Sequence, residues 1–97
     1  MSEITIQNQK QLADGWQFDV KTAEGTTHTV TVDRDYYDEL TSDSASVEDL
    51  VKESFRFLLE REPANAILSE FNLKDIETYF PEYPEKITNR FEVFSNQ

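Results

Sequence analysis

One histidine, His28, twenty Asp and Glu residues and no cysteine make up most of the reactive side chains in this 97-residue chain. Histidine passes protons near neutral pH and ligates metals. A zinc or copper site needs further nitrogen or sulfur donors, however, and the sequence offers neither a second histidine nor a thiolate. The acidic run Asp33, Asp35, Asp38, Glu39 and Asp43 supplies hard oxygen donors suited to Ca²⁺ or Mg²⁺, but lacks the alternating Asp/Asn pattern, central glycine and terminal Glu of a calcium loop. It reads better as the solvated start of a helix, where carboxylates complement the positive end of the helix dipole. Carboxylate pairs also do acid and base work, yet so many acids in so short a chain make chance pairs everywhere, and none is singled out. Gly15 and Gly25, the two glycines, both fall in turn positions, leaving nothing to build a phosphate-cradling loop, and no nucleophile elbow is present. This inventory argues against an enzyme, and neither a cofactor nor a metal is expected.

The remaining chemistry is that of recognition. Residues 79–84, YFPEYP, gather Tyr79, Phe80 and Tyr83 around two prolines. Such a cluster either anchors a C-terminal helix to the core or forms an exposed docking surface. The run FEVF, Phe91 to Phe94, poses the same choice between a sheet edge and a partner.

These side chains must be positioned by elements legible in the hydrophobic pattern. The clearest is SVEDLVKESFRFLLERE, residues 46–62. Val47, Leu50, Val51, Phe55, Leu58 and Leu59 make one apolar stripe, and Glu48, Lys52, Glu53, Arg56 and Glu60 line the opposite side. Ser46 and Asp49 have capping-box spacing, and Pro63 closes the helix. Upstream, Ile4 and Ile6, then Trp16, Phe18 and Val20, then His28, Val30 and Val32 alternate with polar residues, with turn signals at Asp14-Gly15 and Glu24-Gly25. Three short antiparallel strands follow from this, with Trp16, Phe18, Val20, Val30 and Val32 on the buried face. Asp33 is placed to cap a short helix from Arg34 to Leu40, and residues 41–45 read as a loop. After Pro63 the spacing of Ile67, Leu68 and Phe71 predicts a helix over 64–71. Asn72 is placed to cap another over 73–80, and 85–91 gives a last helical stretch. The expected fold is α+β: an N-terminal antiparallel β-meander over about 3–32, then several helices over about 34–91 packed on one face, all in one domain spanning 1–97.

Charge bounds the partners. The chain carries a formal net charge of −11 with a pI near 4.3, and the acid is concentrated in residues 33–62, where ten acids face four bases. Such a surface repels phosphate backbones and anionic lipid headgroups, so nucleic acid and membrane partners are disfavoured and a basic protein partner is favoured. No basic segment leads into an apolar run and no window approaches a membrane span, so the expected compartment is the cytoplasm.

Residues 27–62 resemble the ribbon-helix-helix family of DNA-binding regulators and antitoxins. THTVTVDRDYYDEL stands for that family's strand and first helix, and SVEDLVKESFRFLLERE for its second. The resemblance implies a dimer joined through strand 27–32, with Thr27, Thr29 and Thr31 facing bases. Against DNA contact stand the acidity of the segment and a neighbouring strand at 15–22 that would take the edge a dimer ribbon needs. The whole chain is also similar to a group of small stand-alone prokaryotic proteins, a likeness that transfers no site. Of the two functional expectations, the leading one is a small acidic interaction or regulatory module. Its partner-binding residues would be Tyr79, Phe80 and Tyr83 together with Asp35, Asp38 and Glu39. The alternative is a ribbon-helix-helix-like homodimeric regulator or antitoxin.

Overall fold

A computed structural model describes residues 4–41 and 45–95, with side chains as far as residue 90. Its elements are β1 (Ile4–Leu12), β2 (Gly15–Thr22), β3 (Thr27–Asp33), α1 (Arg34–Thr41), α2 (Val47–Leu59), β4 (Glu70–Asn72), α3 (Ile76–Tyr79) and α4 (Tyr83–Ser95). Short 3₁₀ turns precede β4 at Ala64–Ala66 and α3 at Leu73–Asp75. The fold is mixed α and β.

The sheet order is β1-β2-β3-β4. Strands β1 to β3 pair antiparallel through tight turns, but β4 returns after two helices and lies parallel to β3, pairing Val30 with Phe71. The sheet is therefore not a meander alone. Segment 64–71, expected as a helix, instead makes one 3₁₀ turn and then extends, with Ile67 at φ −78° and ψ 137°. An open sheet edge explains the difference, because β3 offers unpaired backbone groups to β4 and pairing them outweighs a helical spacing of only three apolar residues.

Alternation sets the buried face as expected. Phe18, Val20, Val30 and Val32 are fully buried, and Trp16 is partly so. They join Tyr36 and Leu40 of α1, Leu50, Val51, Phe55, Phe57 and Leu58 of α2, and Tyr83 and Ile87 of α4 in one core. Gly15 is obligatory where β2 meets β3: a Cβ there would sit 2.0 Å from the Val32 carbonyl oxygen. Gly25, at φ 93°, makes the second turn in a conformation that side chains resist. In β1 the register shifts between Gln7 and Lys10 where Asn8 takes φ 56°, and its amide donates to Asp19 Oδ2 at 2.8 Å. Such a bulge on an edge strand interrupts the row of groups another chain would pair with.

The caps form locally. Ser46 Oγ accepts from the Asp49 backbone N–H at 3.1 Å, which is the Ser46 half of the expected capping box. Asn72 and Asp75 complete a reciprocal capping box at the turn into α3. Asp33 directs its carboxylate across the fold, accepting from Asn72 Nδ2 at 3.3 Å and pairing with Lys74 at 3.4 Å. Residues 91–94 continue α4 rather than adding a strand, and their side chains lie outside the described residues.

Candidate functional site

The aromatic hexapeptide is divided by its own backbone. Phe80 leaves helical geometry, at φ −132° and ψ 88°, just before Pro81, and the chain turns there, with the Tyr83 N–H donating to the Phe80 carbonyl at 2.9 Å. The consequence is opposite fates for the two tyrosines. Tyr79 is 65% exposed and Tyr83 is 0% exposed.

Tyr83 is a core residue, which corrects its expected place on a binding surface. Its hydroxyl lies 2.6 Å from Ser54 Oγ, which itself donates to the Leu50 carbonyl at 2.7 Å, so the tyrosine is the donor. Its ring stands edge-on to Phe57 at 5.2 Å. Burial pushes its phenol well above the ordinary range, only partly offset by the bond to Ser54.

Tyr79 and Phe80, by contrast, line an open groove of about 310 Å³. Leu58 from α2, Ala66 and Ile67 from the segment after Pro63, Phe71 from β4 and Ile76 from α3 supply the rest of its apolar lining. Leu68, 51% exposed, lines it too. Leu68 and Tyr79 are the large exposed apolar side chains among the described residues, and both belong to this groove. Glu62 and Asp75 are its only charged lining residues. Neither is ion-paired among the described residues, although Asp75 Oδ2 accepts from the Asn72 N–H at 3.1 Å.

The walls are held by the core behind them. Phe80 is backed by Phe57 at 5.8 Å, and Phe71 by Phe55 at 6.0 Å. Arg61 lies 3.7 Å above the Phe57 ring and reaches Glu82 at 3.3 Å, tying the end of α2 to the turn before α4. His28 fixes the Leu68 side of the groove. Its Nδ1 is 2.7 Å from the Leu68 carbonyl, which can only accept, so Nδ1 carries a proton, while Nε2 lies 2.9 Å from the Thr26 hydroxyl. The lone histidine is thus a buried, doubly bonded strut between β3 and the segment before β4.

The acidic candidates lie elsewhere. Asp35 and Glu39 line a separate polar depression with Asp14, Asp33, Arg34, Tyr36 and Lys74, and Asp38 is exposed outside both. The structure does not join them with Tyr79 and Phe80 in one groove. Asp43 falls outside the described residues. No group of three or more His, Asp or Glu is arranged to hold a metal among the described residues, and no described helix is long and apolar enough to cross a membrane.

Sequence reasoning missed Glu62, Leu68, Phe71 and Asp75 as groove residues. A faint signal existed in Leu68: the helical spacing that grouped it with Ile67 and Phe71 began directly after Pro63, where a short irregular connection was equally compatible. Comparison with family models, curated proteins and solved structures found no match to this chain.

Proposed function

We propose that this chain is a small acidic, cytoplasmic interaction protein without catalysis, binding another protein through the groove between the end of α2, the segment before β4, and α3. The observation that carries this reading is the convergence of Leu68 and Tyr79 on an apolar groove whose charged margin is entirely acidic. Exposing large apolar side chains together, beside a concave apolar floor, is the usual composition of the centre of a protein interface. Tyr79 is suited to anchor it, since tyrosine brings a large rigid surface and a polar tip.

A small-molecule site fits less well. The groove is at the lower end of the roughly 300–1,000 Å³ typical of such pockets, lies open to solvent, and has few polar groups converging within it. The ribbon-helix-helix-like reading is less supported than the groove, because β3 is paired on one edge by β2 and on the other by β4. A dimer ribbon would have to displace β4.

The test is comparative capture from host lysate with two tagged baits, the native chain and the Leu68→Ser, Tyr79→Ser double variant. A protein retained by the first and lost by the second supports the reading. Identical partners on both baits, or a partner lost only on disrupting the β3 edge, would overturn it.

A further inference from the structure

The groove's chemistry specifies its occupant further than "a protein", and the inference rests on the reading just given. Apolar side chains make its floor and lips, and Glu62 and Asp75 are carboxylates with no ion-pair partner among the described residues. The nearest basic residues in sequence are already engaged: Arg61 with Glu60 and Glu82, Lys74 with Asp33. We propose that the groove takes a partner segment apolar on one side and flanked by Lys or Arg, the apolar side chains entering between Leu68 and Tyr79 and the cations meeting Glu62 and Asp75.

Charge complementarity selects this occupant over the others. A second copy of the chain would bring the same carboxylates face to face within two surfaces that each carry a net −11. An anionic lipid surface is repelled for the same reason. A neutral apolar segment would bury the floor but leave the two carboxylates partly desolvated and unpaired, which costs affinity. Cations there convert that cost into attraction and also speed encounter.

The experiment follows backbone amide shifts of the isotopically labelled chain at physiological salt during titration with three amphipathic peptides of about 15 residues, one Leu/Lys, one Leu/Gln and one Leu/Glu. The Leu/Lys peptide is expected to shift amides at Leu58, Ile67, Leu68 and Ile76, the Leu/Gln peptide to bind the same place more weakly, and the Leu/Glu peptide not to bind. Glu62→Gln with Asp75→Asn should weaken the Leu/Lys complex by about fivefold or more. Glu24→Gln with Asp35→Asn removes equal charge at sites away from the groove and should change it less than about twofold. Asparagine at 75 retains an oxygen for the Asn72 N–H, so the groove variant keeps its turn.

If Leu/Gln binds at the groove as tightly as Leu/Lys, or both double variants weaken the complex equally, the charge specificity is wrong and the groove reading survives. If groove amides instead shift with protein concentration alone, the occupant is a second copy. If an apolar dye displaces the Leu/Lys peptide from the groove at lower concentration than the peptide needs to bind, a small molecule is the better occupant. Failure of all three peptides to move groove amides overturns the groove reading itself.

Discussion

Tyr79 and Tyr83 come from one short aromatic motif, and the surroundings of each show two uses of the same side chain. Around Tyr83 every polar atom has a local answer: its hydroxyl donates to Ser54 and Ser54 donates to Leu50. Around Tyr79 the apolar surface stands open and the nearby carboxylates of Glu62 and Asp75 are not ion-paired among the described residues. The first region is finished by folding alone. The second is stable without being finished, and an interaction surface has to be built that way, since a group already satisfied inside the chain has nothing left to offer a partner.

Breaking the closed region should have the largest effect. Tyr83→Ala removes a fully buried ring and is expected to cost about 3–5 kcal/mol in denaturant unfolding. Alkaline pH attacks the same region. The phenols of Tyr83 and Tyr36 are both pushed up, chiefly by burial, and Tyr36 further by Tyr83 and Glu77. Above the unfolded tyrosine pKa of about 10 the unfolded chain loses protons that the folded chain keeps. Stability is therefore whole below about pH 10 and falls above it by up to about 1.4 kcal/mol per pH unit for each phenol. Denaturant titrations at stepped alkaline pH should show this slope, and Tyr83→Phe should reduce it by about half, leaving the Tyr36 contribution.

Smaller effects sharpen the boundary between the regions. His28→Phe leaves the Leu68 carbonyl without its donor and should cost about 1–3 kcal/mol, while shifting Leu68 amide resonances, since the strut reaches from the core to the groove. At neutral pH Tyr83→Phe should cost only about 1 kcal/mol, the net value of one hydrogen bond. Leu68→Ser with Tyr79→Ser should change stability by no more than about 0.5 kcal/mol per site and yet abolish partner capture. If the double variant were as destabilised as Tyr83→Ala, the contrast between the two tyrosines would collapse.

The parts of the fold that the sequence revealed were those decided locally. The alternation through Phe18, Val20, Val30 and Val32, the centre of the α2 stripe at Leu50, Val51, Phe55 and Leu58, and the Ser46 and Asn72 caps depend on near neighbours and form where their patterns place them, whereas the full burial of Phe57 and Ser54 beside the stripe is set by α4 packing against α2. Strand β4 does not announce itself locally. Glu70, Phe71 and Asn72 are extended because β3 has an edge to fill, and a three-residue strand carries no period of its own. The groove inherits that difficulty. Tyr79 and Phe80 were legible as aromatics in a turn, whereas Leu68, Phe71 and Glu62 join them only through contacts between distant segments. Tyr83 was misplaced because residue type gives no hint of which side of Pro81 faces the core.

Ion pairing adds a last contrast. Arg90 reaches from α4 to Glu53 on α2 at 3.0 Å and to Glu60, which caps the C-terminal end of α2, at 3.1 Å. Burial alone would lower its pKa, and the two carboxylates outweigh that and raise it. Basic residues are scarce in this chain, and this one is committed to holding two helices together. Arg90→Ala should loosen α4 by about 1 kcal/mol or less, measurable as faster amide exchange along that helix.

The parallel return of β4 also separates long-range from short-range closure in the sheet. Strands β1 to β3 close through short turns, whereas the pairing of Thr31 with Asn72 closes a loop that contains both α1 and α2. Long closures cost more chain entropy than short ones, so β4 is expected to dock after β1 to β3, and amide exchange at Phe71 faster than at Val20 is the measurement that checks it. Because the groove takes Phe71 from β4 and Leu68 from the segment before it, the groove is complete only while β4 is docked on β3. A partner of the kind proposed would therefore favour the docked state of β4 and, by linkage, raise the stability of the whole sheet in proportion to its occupancy.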